Sequence, residues 1–258
     1  MTAAAGLRPR DRLLVAGCIV LVAALAWAYL VHLERRMSHA ADSVSAMAAM
    51  GMVVDAPWGA SDAALTFAMW AVMMVGMMSA PAAPMLMLVA EMQARRAAPV
   101  GRAVLPFALG YLAVWLGFSA AATLAQWGLH DAALLSPMLA ASSPLLGGTI
   151  LIAAGAWQFT PIKGACLRQC RSPLGFLMGN WRDGPRGAFE MGLRHGIHCL
   201  GCCWALMVVL FAVGVMNLAW VAALSVFVLL EKVGRRGERL ARAGGLAMIA
   251  LGIVLVAR

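Results

Sequence analysis

Residues 63–90 and 103–127 contain no charged side chain, and similar apolar runs recur along most of the chain. A helix rises about 1.5 Å per residue, so about 20 such residues cross roughly 30 Å of hydrocarbon. A water-soluble core has no need of runs this long. Composition agrees, since 63% of the 258 residues are hydrophobic and 12% are charged. Soluble domains carry about 45–50% apolar and about 25% charged residues. The chain therefore reads as all-α, a polytopic transmembrane helical bundle with the lipid bilayer as its first partner.

The runs also set a topology. Residues 13–31 follow a short basic head of Arg8, Arg10 and Arg12. Val15-Ala16-Gly17-Cys18 imitates a lipoprotein cleavage site, but the apolar stretch continues well past Cys18, so an uncleaved first span is expected. Further runs cover residues 63–90, 103–127 and 145–159, then a long tract at 192–230, and finally 244–257. As one helix the tract would measure about 60 Å, twice one crossing. Division at Gly214-Val215-Met216-Asn217 gives seven spans.

Charge placement supports that division. With a cytoplasmic N-terminus, every Lys and Arg except Arg35, Arg36 and Arg258 falls on the inner side. An undivided tract would turn Arg235, Arg236, Arg239 and Arg242 outward. The net charge of +9 is thus explained by topology. No basic stretch is interleaved with aromatics as in single-strand binders, so nucleic acid is not expected as a partner. The expected organisation is a first span with an outer Met/His loop over residues 1–62 and a six-helix bundle over 63–258, together one multi-pass domain of the inner (plasma) membrane.

Five of the six cysteines lie in residues 166–203, as Cys166-x3-Cys170 and then His195-x2-His198-Cys199-x2-Cys202-Cys203. On a helix, His195, His198, Cys199 and Cys202 follow i, i+3, i+4, i+7 and share a face, with Cys203 one turn beyond Cys199. Thiolates and imidazoles bind soft and borderline metals, Cu(I) foremost here and Zn(II) as the alternative. The opposing reading is that these cysteines are small apolar packing residues, which suits lone Cys18. A disulfide framework conflicts with the reducing cytoplasmic side. The spacing matches neither a zinc finger nor a separate thioredoxin-type CxxC.

The chain also holds 19 methionines. In the second run Met73/Met77 and Met74/Met78 are i, i+4 pairs, and Met85 lies beyond Pro81 and Pro84. Thioethers are neutral soft ligands for Cu(I), although Met is equally a flexible core filler. The two prolines each remove a backbone donor and are expected to bend or break the helix at about the depth of residues 195–203. His32, Met37, His39, Met47, Met50 and Met52 form either a metal-collecting loop or an amphipathic surface helix. Glu190, Glu231 and Lys232 stand at span ends and read as interfacial. Arg168, Arg171, Arg182 and Arg194 read as topology or headgroup residues, and Trp157, Trp181 and Trp204 as interface belt.

The blocks Trp157-Gln158-Phe159-Thr160-Pro161-Ile162-Lys163, Cys166 and Cys170-Arg171-Ser172-Pro173-Leu174 are distinctive. So are Gly192-Leu193-Arg194-His195-Gly196, Cys199-Leu200-Gly201-Cys202-Cys203-Trp204, Gly214-Val215-Met216-Asn217-Leu218 and Glu231-Lys232. With Trp70 and the Met-Met, Pro, Pro-Met pattern of the second run, they resemble a bacterial family of predicted metal-binding integral membrane proteins. Some of its members are labelled copper chaperones. The resemblance covers residues 65–257 and implies a membrane protein that binds metal through the Cys/His block.

Three functions remain open from the sequence. The first is copper handling, by transport or by delivery to a membrane cuproenzyme, with a metallochaperone as a further partner. The second is a thiol-redox protein cycling Cys166/Cys170 and Cys202/Cys203. The third is a structural membrane subunit whose cysteines only pack. No Ser/His/Asp set, P-loop or dinucleotide fingerprint is present in the sequence, so a hydrolase, ATPase or nicotinamide enzyme is not expected.

Overall fold

A computed structural model describes residues 6–49, 59–132, 134 and 143–257, with backbone only for 39–49. These residues form nine helices and no strand. They are α1 (Pro9–Ala49), α2 (Ala60–Arg95), α3 (Gly101–Asp131), α4 (Pro144–Trp157), α5 (Pro161–Arg171), α6 (Pro173–Asn180), α7 (Gly184–Val213), α8 (Leu218–Val233) and α9 (Gly237–Val256).

The helix boundaries follow local chemistry. Pro144, Pro161 and Pro173 open α4, α5 and α6 in the first turn, where the missing N–H is not needed. Ser143 Oγ accepts from Leu146 N at 3.2 Å, and Thr160 Oγ1 accepts from Lys163 N at 3.2 Å, each capping its helix. The tract at 192–230 divides where the sequence places its break. Gly214 adopts φ +99°, a conformation strained for other residues, and ends α7, while Asn217 caps α8.

All seven expected apolar segments are helical. Five helices, namely α1 to residue 38, α2, α3, α7 and α9, are long and apolar enough to cross a membrane. The 14-residue α4 and the 11-residue α5 form a sixth candidate, bent by 64°. At 16 residues α8 reaches about 24 Å, short of a full crossing by itself. Large apolar side chains such as Leu13, Leu65, Leu105, Leu124 and Leu246 point outward from α1, α2, α3 and α9.

Two sequence expectations are corrected. Residues 32–49 do not form a loop, because α1 continues through them to Ala49. Of the bend or break expected at Pro81 and Pro84, the break does not occur, since α2 continues past both. Each proline deprives one carbonyl of its partner; Pro81 is buried in the bundle and Pro84 is exposed.

Glycine sets the closest helix crossings. A Cβ on Gly110 or Gly192 would run into the backbone of the facing helix, and one on Gly196 would lie 2.8 Å from Val114 Cγ2. These residues seat α7 directly against α3, with Gly192-x3-Gly196 as a small-residue stripe. Reciprocal contacts between Gly148 and Gly252, and between Gly155 and Gly245, do the same for α4 and α9. The resulting core is one large buried cluster, mainly from α2, α3, α7 and α8 with Leu30, Leu151, Ala154 and Leu167 joining it from α1, α4 and α5, and a smaller one around Met85, Phe107, Phe176 and Met191.

Candidate functional site

The α3–α7 crossing turns the cysteine-bearing face of α7 into the large cluster. Cys199, Cys202 and Cys203 are all buried, as the i, i+3, i+4 spacing requires. Cys199 Sγ lies 2.9 Å from the Tyr111 hydroxyl and 2.9 Å from Lys232 Nζ. Lys232 Nζ also reaches Cys203 Sγ at 3.9 Å. Cys202 Sγ and Cys203 Sγ both donate to the Cys199 carbonyl, at 3.0 and 2.9 Å. From α5, Cys170 Sγ approaches Cys202 Sγ to 4.0 Å. Four sulfurs from two helices therefore gather beside one ammonium.

A buried ion pair stands behind this group. Lys163 Nζ donates to both Glu231 carboxylate oxygens at 2.9 Å, and to Gln158 Oε1. Both charged side chains are 1% exposed. Arg171 Nη1 donates to the Glu231 carbonyl at 2.6 Å, which ties α5 to the end of α8. The Glu231 carboxylate is thus spent on Lys163. Lys232 has no carboxylate within ion-pair distance among the described residues, and its charge faces sulfur.

Burial corrects the sequence reading of these two positions. Glu231 and Lys232 do not face solvent; they are 0% and 6% exposed. A charge that ends an apolar run usually reaches water, but here the α4–α5 bend covers it and supplies Lys163 as partner. Glu190 stays at the surface, paired with Arg182.

The other expected site residues divide. His195 is buried, stacked on Tyr111 with centroids 5.7 Å apart, and its Nδ1 has no partner among the described residues. His198 is half-buried and turns to Phe176 at 6.1 Å. Cys166 is half-buried against Gly201 and makes no contact with the other sulfurs at hydrogen-bond distance. Met73, Met74, Met77 and Met78 belong to the same cluster as the three α7 cysteines, whereas Met85 falls in the smaller one. His32 is exposed on α1, and Met37 packs at the cluster edge. The side chains of His39, Met47, Met50 and Met52 lie outside the described residues.

Among the described residues no three His, Cys, Asp or Glu side chains converge closely enough to hold a metal ion. The reason is visible at Cys202 and Cys203, whose thiols turn to a carbonyl of their own helix. Cys170 and Cys202 lie 4.0 Å apart, a separation compatible with two metal–thiolate bonds of about 2.3 Å.

Tyr111, Lys163, Gln158 and Lys232 escape a sequence reading as members of the site. Tyr111 lies 88 positions from Cys199 and Lys163 lies 68 from Glu231, so no spacing pattern links them. The only trace is the adjacency of two opposite charges, Glu231 and Lys232, at the end of an apolar run.

No curated protein matches the chain, and no solved structure does. A family model does match, over residues 67–255, which contain the whole sulfur site, the Met-rich part of α2 and the Lys163–Glu231 pair. Its description is PpoB2, copper chaperone, and the chain belongs to that family.

Proposed function

We propose that the protein is an integral membrane copper handler that holds Cu(I) on a pair of thiolates drawn from Cys170, Cys199, Cys202 and Cys203. The observation that carries this reading is the meeting of those four sulfurs beside the Lys232 ammonium. Two thiolates on one Cu(I) leave a net negative charge, which is costly in a low-dielectric interior unless compensated. Lys232 provides the compensation. Thiolates are soft donors suited to Cu(I), and Met73, Met74, Met77 and Met78 extend soft, uncharged ligation along α2. His195 Nδ1 is a further buried donor without a partner among the described residues. No three His, Cys, Asp or Glu ligands converge among the described residues, so the reading needs only a pair of thiolates on Cu(I), whereas a structural zinc site needs four ligands in a tetrahedron.

In this reading the helices cross the bacterial inner membrane seven times from a cytoplasmic N-terminus. The outward apolar side chains of α1, α2, α3 and α9 meet lipid, and the turn at residues 214–217 completes the crossing that α8 begins. The sulfur site then lies at the cytosolic mouth of the bundle. Residues 1–62 are an appended span, and residues 63–258 form the metal-binding unit. Copper received at the mouth, directly or from a metallochaperone, passes to the methionines for delivery to a membrane cuproenzyme or for transport.

The test is elemental analysis of detergent-purified protein from copper-supplemented cells. Copper in the wild type and its loss in the combined Cys199→Ser, Cys202→Ser, Cys203→Ser variant supports the proposal; equal copper in both removes it. A thiol-redox role is the second reading, and the 4.0 Å approach of Cys170 and Cys202 favours it. Alkylation trapping that finds only free thiols under every growth condition disposes of that reading.

A further inference from the structure

The α4–α5 bend carries a second polar feature, for which copper handling has no use. A cavity of about 500 Å3 opens there against α9, lined by Gln158, Thr160, Lys163, Arg168, Glu238 and Arg242 among others. Gln158 is 6% exposed, and its Nε2 has no hydrogen-bond partner among the described residues. Its Oε1 accepts from Lys163 Nζ, which is fixed in turn by Glu231. Turning the amide over would set its NH2 against the ammonium, donor facing donor. Nε2 is therefore held away from Lys163, as a buried donor that calls for an acceptor.

The surroundings specify what that acceptor is. Arg168 and Arg242 are exposed at the mouth, and neither is ion-paired among the described residues. A neighbouring cavity of about 360 Å3 shares Glu238 with the first and adds Arg171, Arg235, Arg236 and Arg239. Six guanidinium groups thus surround one carboxylate, an excess of positive charge that favours a polyvalent anion. The first turn of α5, from Pro161, also lines the cavity and directs the positive end of its dipole there. Planar guanidinium forks match the oxygens of a phosphate group.

We propose that this cavity binds a phosphate group, with Arg168 and Arg242 pairing with its oxygens from the mouth and the shielded Gln158 amide shifting to donate from Nε2 to another. Two sources carry that chemistry, the headgroup of an anionic phospholipid and free inorganic phosphate. The site is separate from the sulfur site and needs no copper, so its test does not depend on the copper reading.

The experiment is calorimetric titration of the full-length, detergent-purified protein in phosphate-free buffer, with short-chain phosphatidylglycerol and inorganic phosphate as separate probes. The Arg168→Gln, Arg242→Gln double variant changes only exposed side chains, and its thermal midpoint should equal that of the wild type. Its binding should weaken at least about tenfold, the scale of a lost charge-assisted hydrogen bond. Gln158→Glu, which sets a carboxylate against the ligand, should weaken binding similarly. Tighter binding of phosphatidylglycerol identifies the headgroup as the source, and equal or tighter binding of phosphate identifies the free anion. Absence of binding by both probes, or equal affinity in the wild type and the double variant, overturns the proposal.

Discussion

Lys232 Nζ stands 2.9 Å from Cys199 Sγ, with no carboxylate in ion-pair range among the described residues. A buried ammonium facing sulfur makes the site a charged one, and the charge is the reverse of what a thiolate–Cu(I) centre carries. Lys232→Met should therefore weaken Cu(I) binding at least about tenfold, the scale of a hydrogen bond to a charged group. Lys232→Arg should keep most of the affinity. Competition with a colorimetric Cu(I) chelator in detergent measures both.

The Lys163–Glu231 pair is a stability feature of a different kind. Removing one partner of a buried ion pair leaves the other uncompensated, at a cost of about 3–5 kcal/mol. Glu231→Gln and Lys163→Met should each lower the thermal midpoint strongly. The Lys163→Met, Glu231→Leu double variant should be less destabilised than the two single effects added together. Thermal unfolding in detergent, analysed as a double-mutant cycle, reads the coupling.

Cys166 and Cys170 belong to one motif but have different surroundings. Cys170 approaches Cys202 to hydrogen-bond distance, while Cys166 lies against Gly201 and is farther from that thiol. Cys170→Ser should lower copper content and Cys166→Ser should leave it unchanged, as measured by metal analysis of the two purified variants.

The α3–α7 crossing fixes where the cysteines stand, so its glycines are sensitive. Gly192→Val forces a side chain into the Phe107 backbone and should destabilise the protein by about 3 kcal/mol or more. Gly117→Ala on the same α3 helix meets nothing within 4 Å. It should be neutral or stabilising by up to about 1 kcal/mol. Thermal stability in detergent separates the two.

Much of this architecture is legible in the sequence because one-dimensional patterns specify it. Uncharged runs foretell the helices, Gly214 and Asn217 foretell the break between α7 and α8, and a 3.6-residue period places Cys199, Cys202 and Cys203 on one face. Convergence in three dimensions is a different matter. That Cys170 approaches Cys202, that Tyr111 and Lys232 meet Cys199, that Cys166 only borders this group, that His198 turns to Phe176 and that Met85 falls in the second cluster depend on helix crossings set by glycine contacts. Pro81 and Pro84 are legible only in part: a proline's local cost is visible in the sequence, whereas the continuation of α2 past both is not. Glu231 and Lys232 look solvent-facing in the sequence until the α4–α5 bend is seen to cover them.

X-ray absorption at the copper edge of the Cu(I)-loaded, detergent-purified protein tests the central assignment most directly. The account predicts a Cu(I) edge with sulfur neighbours, and loss of the sulfur signal when Cys199, Cys202 and Cys203 are replaced by serine. A copper environment of nitrogen and oxygen only, or one unchanged by those replacements, would contradict it.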